Sequence, residues 1–247
     1  PSTPGALDFA SVPVNDIRMG PWDLCFRDPM IQPYSQQNAT NQFWVNTYSD
    51  PLIISNAFPK GYGAFYLMKY EVSWAQYNDF LVKRGLSTSG PSNERAWMAP
   101  WSQTMVNDVR AYLDWAGLRP LTELEYEKAC RGPVAAFPDE FAWGNQLVAS
   151  SPYAVSNPNA YNAAITANYA TNAGNCWWPG SAFTNAETCR VGIFARPAYS
   201  GGASARVQSG AGYYGAMELT GNAPELYMLV QNDGMTPSAF DGAHGSG

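Results

Sequence analysis

From residue 133 to residue 247 the chain shows no helical period and no repeat at a fixed interval. It carries only short apolar pieces there, such as Val191-Gly192-Ile193-Phe194 and Met217-Glu218-Leu219. Gly, Asn and Ala dominate instead. Irregular stretches of that length inside a domain are usually fixed by a function or by a bound metal rather than by repeating backbone ladders. The chain is therefore expected to combine a few regular elements with long loops that are each held in place.

The regular elements lie earlier. Residues 1 to about 60 are rich in Pro and Asn and read as a loop-rich lead-in with one or two short strands. Residues 61–247 read as the main domain. Phe65 to Val72 reads as a strand. Ser73 then caps a helix, with Gln76 completing a capping box; Trp74, Tyr77, Phe80 and Leu81 form its apolar stripe and Gly85 stops it. A loop containing Gly90-Pro91 follows. A second helix starts near Ser102 or Thr104, with Met105, Val109, Tyr112, Leu113 and Ala116 on one face and Gly117 at its end. Thr122 and Glu125 make a second capping box, for a helix that turns Leu124, Ala129 and Tyr126 or Cys130 inward and ends at Gly132.

Charge narrows the partners. Hydrophobic residues make up 46% of the 247 and charged residues 14%, with a net charge of −6. Ordinary domains carry about 25% charged residues, so this surface is built from amides, hydroxyls and aromatics. A chain of pI ≈ 4.7 has little with which to neutralise phosphates, and no nucleic-acid partner is expected. No apolar run is long enough to span a bilayer, so no transmembrane segment is expected. The opening Pro1-Ser2-Thr3-Pro4 reads as a mature terminus left by signal removal, or as an arbitrary boundary. The first reading predicts a secreted, extracellular or cell-surface protein. Asn38-Ala39-Thr40 is then a glycosylation sequon at Asn38.

The four cysteines, Cys25, Cys130, Cys176 and Cys189, lack the two-residue spacing of zinc or redox motifs, and His244 is the single histidine. Cys176 and Cys189 flank a loop rich in Asn, Gly, Trp and Pro, which a disulfide would restrain in an oxidising compartment. The alternative is four buried thiols, with Cys130 on a helix the foremost of them.

Five pieces, in order over residues 65 to 230, resemble the formylglycine-generating-enzyme (sulfatase-modifying-factor) family. Lys69 to Tyr77 is similar to the family's KYEVTNAQY. Trp115 to Gly132 is similar to WAGKRLPTEAEWEKAARG, and Phe141 to Asn145 to YPWGN. Val191 to Phe194 stands where VGSF is expected, and Tyr214 to Tyr227 resembles YGLYDMAGNVWEW. The resemblance implies an irregular α+β domain related to C-type lectins, low in regular secondary structure.

It also implies departures. Family enzymes that make formylglycine bind copper through two cysteines beyond the GNVWEW segment, and here no cysteine follows Cys189. The sulfoxide synthases hold iron with three histidines, and this chain has one. The closing RGGSW and GFR pieces are not found either. No catalytic residue is therefore assigned.

Calcium is the cofactor the resemblance retains. The family site around GNVWEW maps onto Glu218, the main-chain carbonyls of Gly221 and Ala223, and Glu225. Calcium takes roughly six to eight oxygens at about 2.3–2.6 Å, and two carboxylates around a Gly-Asn turn can converge on one ion. Without the resemblance the pair reads as two surface glutamates. A second family site maps onto Asn168 and the carbonyl of Tyr169, with Asn172 or Asn175 completing it; loop amides bonding to local backbone are the other reading.

Three functions are compatible with these features. The first is a secreted, non-enzymatic structural protein on a calcium-stabilised scaffold, self-assembling as a homo-oligomer or filament, or meeting a surface partner protein. Its 15 Tyr and 9 Trp suit wide neutral contacts. The second is an extracellular carbohydrate- or ligand-binding module that stacks glycans on exposed aromatics. The third is an oxidoreductase of the formylglycine-generating type, using Cys176 and Cys189 as an atypical pair. Glu123, Glu125, Glu127, Arg119 and Arg131 read as helix-end and ion-pair residues.

Overall fold

The computed structural model describes residues 18–19, 52–53, 59–86, 90–91, 94–102, 106–150, 152–178, 188–199 and 201–228. The sequon at Asn38, the cysteine at position 25, His244 and the segment 241–247 lie outside them. In order, the elements are β1 (Arg18–Met19), β2 (Leu52–Ile53), α1 (Trp74–Lys83), α2 (Glu94–Met98), α3 (Val106–Trp115), β3 (Leu121–Thr122), α4 (Glu123–Arg131), β4 (Ala154–Ser156), β5 (Ala164–Ala167), α5 (Ala205–Ser209) and β6 (Tyr227–Met228). Helices and short strands thus occur together, and irregular backbone predominates among the described residues of the second half.

Capping explains where the principal helices begin. Ser73 Oγ accepts from Gln76 N at 3.3 Å while Gln76 Oε1 accepts from Ser73 N at 2.9 Å, closing the box that starts α1. Thr122 and Glu125 do the same for α4, with bonds of 3.1 Å in each direction. Each box satisfies two amides that would otherwise lack partners at a helix start. Gly132 ends α4 at φ 70°, and a Cβ there would lie 2.3 Å from the Tyr213 ring.

Among the described residues the strands form three pairs: β1 antiparallel to β2, β4 antiparallel to β5, and β3 parallel to β6 with Leu121 opposite Tyr227. The last pair joins the start of α4 to the last described residues. The expected strand at Phe65–Val72 is not formed. These residues make single contacts instead, Met217 N to Lys69 O at 2.8 Å and Trp101 N to Val72 O at 2.7 Å. The segment has the composition of a strand, but among the described residues no neighbour pairs with it in a ladder.

Among the described residues, side chains gather in three apolar clusters. Tyr77, Phe80 and Tyr112 lock α1 to α3, with Trp101 stacked on Tyr77 at 3.6 Å between centroids. Ala129, Ala142, Ala216 and Leu219 seat α4. Tyr153, Trp177, Cys189, Ile193, Phe194 and Met217 hold the loops of the second half together. Leu124 and Ala129 are buried as expected, whereas Ala116 is exposed in the turn after α3. The predicted stripe ran one residue too far. Met105 lies outside the described residues. Both α2 and α5 escaped the periodicity reading, since five residues are too few to establish a 3.6-residue period.

Arg119 settles where a buried acid needs it, and Arg131 is itself the buried member of a pair with a half-exposed acid. Arg119 Nη1 donates to Glu125 Oε2 at 2.7 Å and Nη2 donates to Oε1, a two-point pair on a carboxylate that is 2% exposed. Arg131 binds Glu127 through Nε at 2.9 Å and Nη2 at 2.6 Å. Among the described residues no helix is long and apolar enough to cross a membrane.

Candidate metal centre

Three glutamates from two distant parts of the chain meet at the turn that runs from Glu218 to Glu225. The turn is fixed by its backbone. Glu218, Gly221 and Asn222 all have positive φ, at 66°, 88° and 67°. Asparagine tolerates that region, whereas for glutamate it is costly, by roughly 1–2 kcal/mol. At Gly221 a Cβ would lie 2.5 Å from Trp177 O, so a side chain is excluded by space as well as by φ. Asn222 N donates to the same carbonyl at 2.7 Å, docking the turn on Trp177.

Side chains then tie three segments to it. Asn222 Oδ1 accepts from Cys189 N at 2.8 Å, and its Nδ2 donates to Glu71 Oε2 at 2.5 Å. Glu71 Oε1 accepts from Ala223 N at 2.9 Å. Glu218 Oε1 accepts from Gly192 N at 2.5 Å, which brings in the Val191–Phe194 turn. Two oxygens remain over. Glu218 Oε2 and Glu225 Oε1 are buried and make no hydrogen bond.

Those two atoms carry the energetic argument. A buried carboxylate oxygen without a partner bears the desolvation penalty of a charged group. Burial pushes the Glu71 carboxyl up to about 9, with the neighbouring Glu218 charge the next cause. Burial raises Glu218 to about 7, against the bond from Gly192 and the Arg190 charge, which lower it. Burial raises Glu225 to about 8, and Glu218 raises it further. Glu71 responds to both of the other charges, so the three groups belong to one electrostatic unit.

Such a unit is relieved by protonation or by a cation. The donors are all hard oxygens, which suit calcium rather than a soft metal. No set of three or more His, Cys, Asp or Glu side chains among the described residues is arranged to hold a metal by itself. A cation here would need main-chain carbonyls as well, such as those of Gly221 and Ala223 in the turn. The donor chemistry, two carboxylates each with a buried unbonded oxygen beside peptide carbonyls, suits a mixed ligand set of that kind.

Of the two predicted sets, the first lies within a single turn, and the side chains of the second are bonded to backbone. Glu218, Gly221, Ala223 and Glu225 lie on one turn. Asn168 is exposed, with φ 64°, and its Nδ2 donates to Pro152 O at 2.7 Å. Tyr169 donates its hydroxyl to Gln208 O. Asn175 is buried and braces its own loop, accepting from Ala170 N at 2.9 Å and donating to Ala170 O at 2.7 Å and Gln208 O at 2.8 Å. These amides work as local braces. Cys176 and Cys189 are both buried thiols, and the expected bridge between them is not formed. Both still touch the turn: Cys176 Cβ lies 3.4 Å from the position of a Cβ on Gly221, and Cys189 bonds Asn222.

Sequence reasoning gave Glu71 and Asn222 no role. An acid between Tyr70 and Val72 was a usable signal, because a charge at a core-facing position needs a partner. The partner is more than 150 residues away, and nothing local pointed to it.

The family model for the sulfatase-modifying factor enzyme 1-like domain matches residues 60–228, and the chain belongs to this family. No curated protein and no solved structure matches it.

Proposed function

We propose that the Glu218–Glu225 turn holds a calcium ion, and that the domain serves as a secreted, non-enzymatic scaffold whose loops the ion stabilises. The fold on this reading is the C-type-lectin-related one. The single observation that carries the proposal is the pair of buried, unbonded oxygens, Glu218 Oε2 and Glu225 Oε1. Glu218, Glu225 and the carbonyls of Gly221 and Ala223 would hold the ion; Glu71 and Asn222 shape the turn around it. The ion supplies positive charge where three carboxyls compete for protons.

The state of the thiols supports the non-enzymatic part. Burial pushes Cys176 up to about 12 and Cys189 well above the usual thiol value, with Glu218 and Glu71 adding to the second. Redox-active cysteines are shifted in the opposite direction. The low-charge, aromatic-rich composition supports broad contacts with copies of the chain or a surface partner.

The test is calorimetric. Calcium titrated into the chelator-treated protein is expected to bind at one site, release protons and raise Tm, with magnesium far less effective. A Tm and a heat signal that do not respond to millimolar calcium would refute the metal reading. Oxygen consumption by the copper-loaded protein with a cysteine-containing peptide would refute the non-enzymatic one.

A further inference from the structure

The helices α1 and α3 meet along the Tyr77–Phe80–Tyr112 cluster, and above it they leave an open groove of about 400 Å³ lined by Ala75, Gln76, Asp79, Tyr112 and Trp115. Its floor is aromatic and held from behind. Tyr112 is buried, while Trp115 is 40% exposed and backed by Phe80 at 5.4 Å and Tyr112 at 5.9 Å between centroids. An aromatic ring fixed in this way loses little conformational entropy when something stacks on it.

Polar groups stand at the edge of this mainly apolar groove, and each has a definite sense. The Asp79 carboxylate pairs with Lys83 Nζ at 2.6 Å, and that ammonium lies 5.5 Å from the Trp115 ring centroid. Gln76 Oε1 is committed to the α1 cap, which leaves its Nε2 as the end that can donate at the groove edge. The aromatic floor therefore has an anionic acceptor and an amide donor at its edge and an exposed cationic donor over the Trp115 ring, which a ligand stacking on that face displaces.

We infer that this groove is a subsite for a neutral sugar ring. A pyranose has an apolar C–H face and a rim of hydroxyls that both donate and accept. That alternation matches a stacking floor with Asp79, Lys83 and Gln76 around it. A protein partner matches less well, since the centres of protein interfaces are depleted of charge, and here an ion pair stands directly beside the aromatic ring. The groove shares no residue with the Glu218–Glu225 turn, so the inference does not rest on calcium.

The test uses the full chain with cellohexaose, mannohexaose and chitohexaose as probes, read by titration calorimetry. Saturable binding of at least one is expected. Trp115→Ala weakens it about tenfold, the scale of one lost aromatic contact, and Asp79→Asn weakens it severalfold. Tyr161→Ala, which removes an exposed aromatic elsewhere, leaves it unchanged. Asp79 belongs to an exposed pair that contributes little to folding, so its variant still reads the site if Trp115→Ala fails to fold. The inference is overturned if none of the three sugars binds, or if Asp79→Asn and a folded Trp115→Ala both bind as the parent does. It is also overturned if Trp115→Ala alters sedimentation while no sugar binds, which would make this face a protein contact.

Discussion

Glu71 and Asn222 stand 151 residues apart in the chain and are joined side chain to side chain by a 2.5 Å hydrogen bond. With the second bond, from Ala223 N to the other Glu71 oxygen, this carboxyl is fully occupied in shaping the turn. Glu218 and Glu225 each keep one buried oxygen unbonded. Glu71 thus spends both oxygens on holding the turn, whereas Glu218 and Glu225 each leave one open.

Glu225→Gln removes a charge from that cluster and keeps its shape. The calcium-dependent rise in Tm is expected to disappear in this variant. Its metal-free form should melt at or above the parent's temperature at pH 9, because a buried unpaired charge has been deleted. Thermal scans with and without chelator check both halves.

The pH profile of the metal-free protein follows from the three raised carboxyls, at about 9, 7 and 8 against an ordinary 4.5. The folded state holds these protons more tightly than the unfolded chain does. The resulting stability is complete below about pH 4.5 and is lost as pH rises through the 7–9 range. Tm in chelator should fall between pH 6 and pH 9. Saturating calcium should flatten or reverse that slope, since the ion favours the charged forms. A metal-free Tm that climbs over this range would contradict the burial of these groups.

Glu71→Gln tests the other role. An amide can accept only through its oxygen, so one of the two donors, Asn222 Nδ2 or Ala223 N, would face an NH₂ group. A buried donor left unmet costs about 1–3 kcal/mol. Urea denaturation should show that loss in the absence of calcium as well as in its presence.

Gly221→Ala should be among the most damaging single changes in the turn. The left-handed backbone alone costs roughly 1–2 kcal/mol, and the 2.5 Å approach to Trp177 O adds to it. Both stability and calcium affinity are expected to fall together, whereas Glu71→Gln lowers stability first.

What the sequence disclosed follows the range of the interactions. Both capping boxes were legible, because Ser73–Gln76 and Thr122–Glu125 act within one helical turn. That Arg119 pairs with one of the acids at the start of α4 was legible too, since they lie a few residues apart, but which acid it takes was not. Glu218 and Glu225 were found through a motif, with their burial unseen. Glu71 was missed because its partners arrive from the far end of the chain, and the strand at Phe65–Val72 was over-read because a run of strand-favouring residues does not report a pairing neighbour. Cys176 and Cys189 both reach the same turn, yet sequence separation alone could not tell two contacts with a turn from a bond to each other.

The parallel pairing of β3 with β6 and the Met217–Lys69 contact have a consequence for the newly made chain. On the ribosome, α1 to α4 emerge first, with the Glu71 carboxyl still waiting for a turn that has not been translated. The domain can close only when its last described strand appears, so the interval before that is when a nascent chain of this kind is most in need of a chaperone.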